Sequence, residues 1–186
     1  KLNSHASKMW ERLKLDRQMW SSIEDGAIAG SNFLYFFYDE TVPEKMQVRS
    51  LDGTMIHLSD EQETDIQKQK YIIVVQRLFV SDIKEQAKAN GISEDKIRLI
   101  MPDEDLSTQI GDKAKEEIKQ DNEDGKCICL LKLWKQDGAV HMLRSTRHVI
   151  YEEPYRIEGM KLYPIAQYRW KSEKGSARGV GEVWNR

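Results

Sequence analysis

The chain has 186 residues, long enough to bury a hydrophobic core unaided. Hydrophobic residues at 39% and charged residues at 32% exclude a disordered chain, and no apolar run approaches the roughly 20 residues that span a membrane. A net charge of −2, from 29 basic and 31 acidic residues, excludes a domain that grips nucleic-acid phosphates over its whole surface, so no DNA contact is expected here.

In chain order, residues 2–29 read as one long helix. Ala6, Leu13, Trp20 and Ala27 recur every seven residues, with Leu2, Met9 and Ile23 as a second row that Asp16 interrupts. Gly30 is placed to end it as a left-handed cap. The stripe reads as packing on a sheet, with a subunit contact as the alternative. On the first reading Trp10, Leu13, Trp20 and Ile23 lie on a sheet that holds Phe33, Phe37, Ile73 and Val75. Residues 32–38 are apolar on both faces, the pattern of a central strand. Residues 46–49 and 54–58 read as a short hairpin, and 59–70 as a charged loop without periodicity.

The β-branched run 71–79 predicts a strand. Ser81 is placed to cap a helix over 82–89 that stops at Asn90-Gly91, and Ser93 to cap a second one reaching Met101 before Pro102. A third, charged helix is expected over 112–120, then a turn over 121–125. Residues 126–135 and 139–144 form a hairpin about Asp137-Gly138, the preferred type I′ pair, with Trp134 opposite His141. Strands follow over 148–156 and 162–168, where Pro164 demands an edge or a bulge, and the tail 171–186 is rich in glycine. The expected class is α+β: a long N-terminal helix on a mainly antiparallel sheet with a small helical insert, as a single domain over 1–186.

Chemistry-bearing constellations are missing from the sequence. There is no H-E-x-x-H, no G-x-S-x-G and no Walker lysine, and Gly175, Gly179 and Gly181 lack the spacing of a phosphate loop. The glycines read instead as a flexible or tightly turned connector. Cys127 and Cys129 share a strand face and read as buried, reduced thiols; a metal site with His141 is the alternative. His5, His57, His141 and His148 have no evident nucleophile partner. The expectation is no enzyme, no cofactor and no metal.

Three stretches resemble the portal proteins of tailed bacteriophages. Tyr163-Pro-Ile-Ala-Gln-Tyr-Arg-Trp170, followed by Lys174-Gly-Ser-Ala-Arg-Gly-Val-Gly-Glu182, is similar to the sequence with which portals leave the wing domain toward the stem. Trp10-Glu-Arg-Leu-Lys-Leu-Asp16, leading through Ala27-Ile-Ala-Gly30 into 33–39, resembles the wing helix running into an aromatic strand that ends in Asp39. Asp65-Ile-Gln-Lys-Gln-Lys70 with the strand and helix after it resembles the Gln-rich approach to an Ile/Val strand.

The resemblance spans nearly the whole chain in family order. It implies a structural subunit of a ring, dodecameric in the family, at one capsid vertex of a virion or prophage-encoded particle. Its implied partners are other portal subunits, capsid or scaffold protein, and, through stem, clip and crown segments not recognisable here, the terminase motor and head–tail adaptor. Both ends of the chain read as cuts in a longer protein. Arg169, Lys171, Lys174 and Arg178 put four cations within ten residues and are the candidate subunit contacts, Arg being suited to a bidentate hold on a neighbour's carboxylate. The other reading the sequence leaves open is an α+β binding module or hydrolase domain, which a buried His/Cys/Asp cluster would favour.

Overall fold

The computed structural model describes residues 2–39, 45–103 and 125–182. It is an α+β protein with antiparallel sheets and an N-terminal helix packed on a sheet, as the patterning predicts. The charged helix expected over 112–120, most of the turn after it and residues 184–186 lie outside the described residues. The chain divides into two compact units: residues 1–72, 134–140 and 158–186, and residues 73–133 with 141–157.

In the first unit, helices α1 (Leu2–Arg12) and α2 (Leu15–Ala29) lead into strand β1 (Ser31–Tyr38). The expected single helix is interrupted. Lys14 adopts a left-handed conformation (φ 50°, ψ 42°), and Trp10 Nε1 donates to Asp16 Oδ1 across the break at 2.8 Å. Asp16, the residue that broke the apolar row, is therefore held by a side chain of the preceding helix. β1 is the central strand of a three-stranded antiparallel sheet, between β2 (Met46–Asp52) and β8 (Ile165–Arg169). Its position explains an aromatic sequence on both faces, with Phe33 fully buried and Tyr35 nearly so. β8 lies at the sheet edge, where Pro164 just before it is tolerated.

The stripe expected to face the sheet does not do so. Ser22 and Gly26 are the buried residues of α2, and Trp20 lies roughly 140° around the helix from them, at 72% exposure. Trp10 is also exposed, and Leu13 and Ile23 are half-buried. The physical reason is close approach: the Gly26 position is flush against the Tyr168 ring, which leaves no room for a large side chain between helix and sheet. Ser22 is buried because its hydroxyl donates to Asn32 Oδ1 at 2.5 Å, and the Asn32 amide donates to Ser50 Oγ at 2.9 Å.

The expected hairpin between 46–49 and 54–58 is not formed either. β2 turns back on β1 instead, with Leu51 opposite Phe33. A 3-10 turn, Gly53–Met55, then leads into β3 (Ile56–Leu58). β3 is the first strand of a five-stranded sheet of order β3-β4-β5-β6-β7, with β4 at Tyr71–Phe79, β5 at Lys126–Gln136, β6 at Ala139–Ser145 and β7 at Ile150–Arg156. Phe33 and Phe37 thus belong to one sheet, and Ile73 and Val75 to another. Sequence alone could not separate them, because strand patterns show which residues are apolar but not which strands pair.

In the second unit, helices α3 (Val80–Ala89) and α4 (Glu94–Ile97) cover a core of Val80, Ile83, Ala87, Ile97, Ile100, Cys127, Cys129, Val149 and Tyr151. The alternation along β5 puts Cys127, Cys129, Leu131 and Leu133 on the buried side. Ser81 is not the cap of α3. The helix starts at Val80, two residues before the expected start, with Phe79 at the N-cap position, and the Val80 N–H is satisfied by the Gly125 carbonyl at 2.9 Å. α4 is shorter than the sequence suggests, and Ser93 stands at its N-cap position without a side-chain cap bond. Gly91 (φ 72°) terminates α3 as expected, and Asp137 (φ 52°) and Gly138 (φ 71°) form the expected type I′ turn.

Candidate functional site

The glycine-rich tail is extensively hydrogen-bonded within the first unit. After β8 the chain runs through β9 (Lys171–Ser172), turns at Gly175, and returns as β10 (Gly179–Val180), paired antiparallel with β9. The returning strand lies backbone to backbone on the end of α2. A Cβ on Gly30 would overlap the Gly179 carbonyl, one on Gly179 would overlap the Gly30 carbonyl, and one on Gly181 would overlap the Ile28 carbonyl. The Trp170 N–H donates to the Gly30 carbonyl at 3.0 Å, and the Gly179 N–H to Ser31 Oγ at 2.7 Å. Gly30, Gly179 and Gly181 therefore serve close packing of the tail on the helix end.

Arg178 anchors this segment. Its Nε and Nη2 donate to the two carboxylate oxygens of Glu61 at 3.0 and 2.9 Å. Nη1 donates to the Gly53 carbonyl at 2.5 Å and Nη2 to the Ile56 carbonyl at 2.6 Å, while the guanidinium carbon sits 5.6 Å from the Phe33 ring centroid. The planar fork meets a carboxylate bidentately, as the residue type suggests, but the carboxylate is its own chain's. Close by, the Ala177 N–H donates to the Glu61 carbonyl at 2.7 Å, and the Ala177 side chain is fully buried.

The other three candidate contacts differ from Arg178. Arg169 Nη1 donates to the Ser176 carbonyl at 3.1 Å. Lys171 pairs with Glu182 at 3.0 Å, both about half exposed, and Lys174 stands exposed beside Gly175. Three cations therefore border the two-stranded ladder, and the fourth is committed within the fold.

Sequence reasoning missed the polar residues that organise the loop 59–70. Gln69, 3% exposed, accepts from Ser59 Oγ and the Asp60 N–H and donates to the Asp60 and Glu63 carbonyls. Gln67 accepts from the Tyr163 N–H and donates to the Tyr163 carbonyl, and Tyr163 Oη donates to the Gln69 carbonyl at 2.9 Å. Burial pushes the Tyr163 hydroxyl up to about 12, so it acts as a neutral donor. No periodicity announces a buried glutamine, and the Arg178–Glu61 pair spans 117 residues. The Gln-rich composition of 65–70 was the one available signal.

Little of this can do bond-making chemistry. A depression of about 330 Å³ is lined by Ala29, Asp52, Thr54, His57 and Arg178 among others. Asp52 Oδ1 is already taken up by the backbone and hydroxyl of Thr54, and the donors of Arg178 are used as above. Among the described residues no group of three or more His, Cys, Asp or Glu is placed to hold a metal ion. Cys127 and Cys129 are both 2% exposed, and burial raises both thiols, Cys129 to about 12, which is the reverse of an activated nucleophile. No helix among the described residues is long and apolar enough to cross a membrane.

Hydrogen bonding from Arg178 holds the Glu61 carboxyl below its ordinary value of 4.5, against the opposing effect of burial. A depressed carboxylate contributes stability that is present above its unfolded value and is lost as pH falls through the folded one. In urea titrations, Glu61→Gln should therefore be less stable than the parent near neutrality. The difference should shrink as pH falls below 4.5. A gap that stays constant down to about pH 3 would mean that the loss does not come from the ionised carboxylate. Arg178→Ala should cost about 1–3 kcal/mol, because it also strips two backbone carbonyls of charged donors. No protein-family model matches this chain, and no curated protein is similar to it.

Proposed function

We propose that this chain is the wing-like part of a bacteriophage portal subunit, a non-enzymatic structural module of a ring through which DNA is packaged and ejected. The observation that carries the reading is the convergence of the three stretches that resemble portals. β1, from the second stretch, pairs with β8 from the first, Leu34 facing Ala166. Tyr163 of the first stretch is bonded to Gln67 and Gln69 of the third. Gly179 of the first lies against Gly30 of the second. Parts of the three stretches that lie more than 90 residues apart thus pack together in the first unit, residues 65–70 standing for the third, and this packing is what supports reading them as one pattern.

On this reading the partners are further copies of the subunit, capsid or scaffold protein, and the motor and adaptor through other parts of the protein. The place of action is the portal vertex, reached from the host cytoplasm during assembly. Lys171, Lys174 and Arg169 remain the proposed cationic contacts to a neighbouring subunit, and Arg178 supports them from within. The alternative of a hydrolase or ligand-binding domain gains no support from the depression beside His57, whose carboxylate and guanidinium are already engaged.

The test is electron microscopy of the longer protein that contains this chain. Closed rings of a single rotational order with an axial channel, on the order of twelve subunits as in the family, are the expected result. A longer protein that stays monomeric, or that turns over an ester, peptide or phosphate substrate, would overturn the reading.

A further inference from the structure

We propose that the outer face of α2 is a self-complementary contact for a second copy of this chain, docked antiparallel across a two-fold axis. Arg17, Trp20, Ser21, Glu24 and Ile28 are all exposed, Trp20 at 72% and Ile28 at 53%. At about 100° per residue they lie within about 60° of the direction opposite the buried Ser22–Gly26 face. Neither Arg17 nor Glu24 forms an ion pair with another described residue.

The order of residues along this stripe selects the geometry. A two-fold axis between positions 20 and 21 sets Arg17 opposite the partner's Glu24, and Glu24 opposite the partner's Arg17. The same axis sets each Trp20 against the small Ser21 of the other copy, a large side chain into the room left by a hydroxymethyl group. A parallel pair would instead stack Arg17 on Arg17 and Glu24 on Glu24, which like-charge repulsion disfavours. Tryptophan at the centre of a contact, rimmed by charge, is the usual anchor of a small interface.

The face is short. Fifteen residues of helix reach about 22 Å, and a single helix pair falls well below the roughly 1,600 Å² of a standard interface, so the dimer is weak and reversible. The inference does not rest on the portal reading. An isologous contact cannot join neighbours within a cyclic ring, so it holds copies outside a ring or copies from two rings that meet face to face.

Sedimentation equilibrium of the 186-residue chain, from about 10 μM to about 1 mM, should show a monomer–dimer equilibrium. Arg17→Glu and Glu24→Arg should each weaken association about tenfold or more, since symmetry makes every substitution count twice. An equimolar mixture of the two variants should recover dimers, now heterodimers, because their charges are again opposite. Trp20→Ala, with unchanged circular dichroism, should also be monomeric. A parent chain that is monomeric at about 1 mM, or a mixture that fails to recover what each variant lost, would overturn the proposal.

Discussion

Gly30→Ala is expected to cost about 3 kcal/mol or more, one of the two largest effects foreseen for single substitutions in this chain. Two separate penalties add. Gly30 ends α2 at φ 86°, where a side chain costs about 1–2 kcal/mol of backbone strain. A Cβ there also overlaps the Gly179 carbonyl, and backbone cannot rotate aside as a side chain can; the tail must lift from the helix end, which breaks the Trp170–Gly30 hydrogen bond. Gly175→Ala is the control. Its φ is 75°, but nothing lies within 4 Å of the added methyl, so only the conformational part, about 1 kcal/mol, applies. Urea unfolding followed by tryptophan fluorescence compares the two. Equal losses would mean that the tail does not lie on the end of α2.

Phe33→Ala is expected to cost about 3–5 kcal/mol, the usual range for emptying a buried aromatic site. Phe33 is fully buried on the central strand, faces Leu51 on one neighbour and Gln167 on the other, and supports the Arg178 guanidinium. Its removal therefore leaves a cavity and weakens the anchor of the tail together. Trp20→Ala, which the heptad pattern alone would rank as the costlier change, should cost less than about 1 kcal/mol, because a largely exposed side chain leaves no cavity. The pair of values reads out which face of α2 meets the sheet. A loss of about 3 kcal/mol or more at Trp20 would place that side chain in the core.

Local patterns in the chain were enough for the fold class and for most of the elements, though not for the break at Lys14 or the course of residues 46–58. β-Branched and aromatic runs marked β1 and β4, Asp137-Gly138 marked the hairpin between β5 and β6, and Gly30 marked the end of α2. These are short-range features, in which backbone sterics and hydrophobic period act within a few residues, so a sequence displays them directly. The central place of β1 and the edge place of β8 were also legible, from apolar residues on both faces in one case and from Pro164 in the other.

Tertiary structure alone decided which faces and which residues meet. The stripe on α2 is apolar, yet the helix buries Ser22 and Gly26 because small residues let it approach Tyr168, and the choice depends on a strand more than 130 residues away. Glu61 and Arg178, and Gln67 and Tyr163, are ordinary surface residue types until the chain brings them together across 117 and 96 residues. A long-range polar pair leaves no period in the sequence, because its two members meet only once the chain has folded. For the same reason the candidate cations could be found from their clustering, while the commitment of Arg178 to its own chain appeared only in the fold.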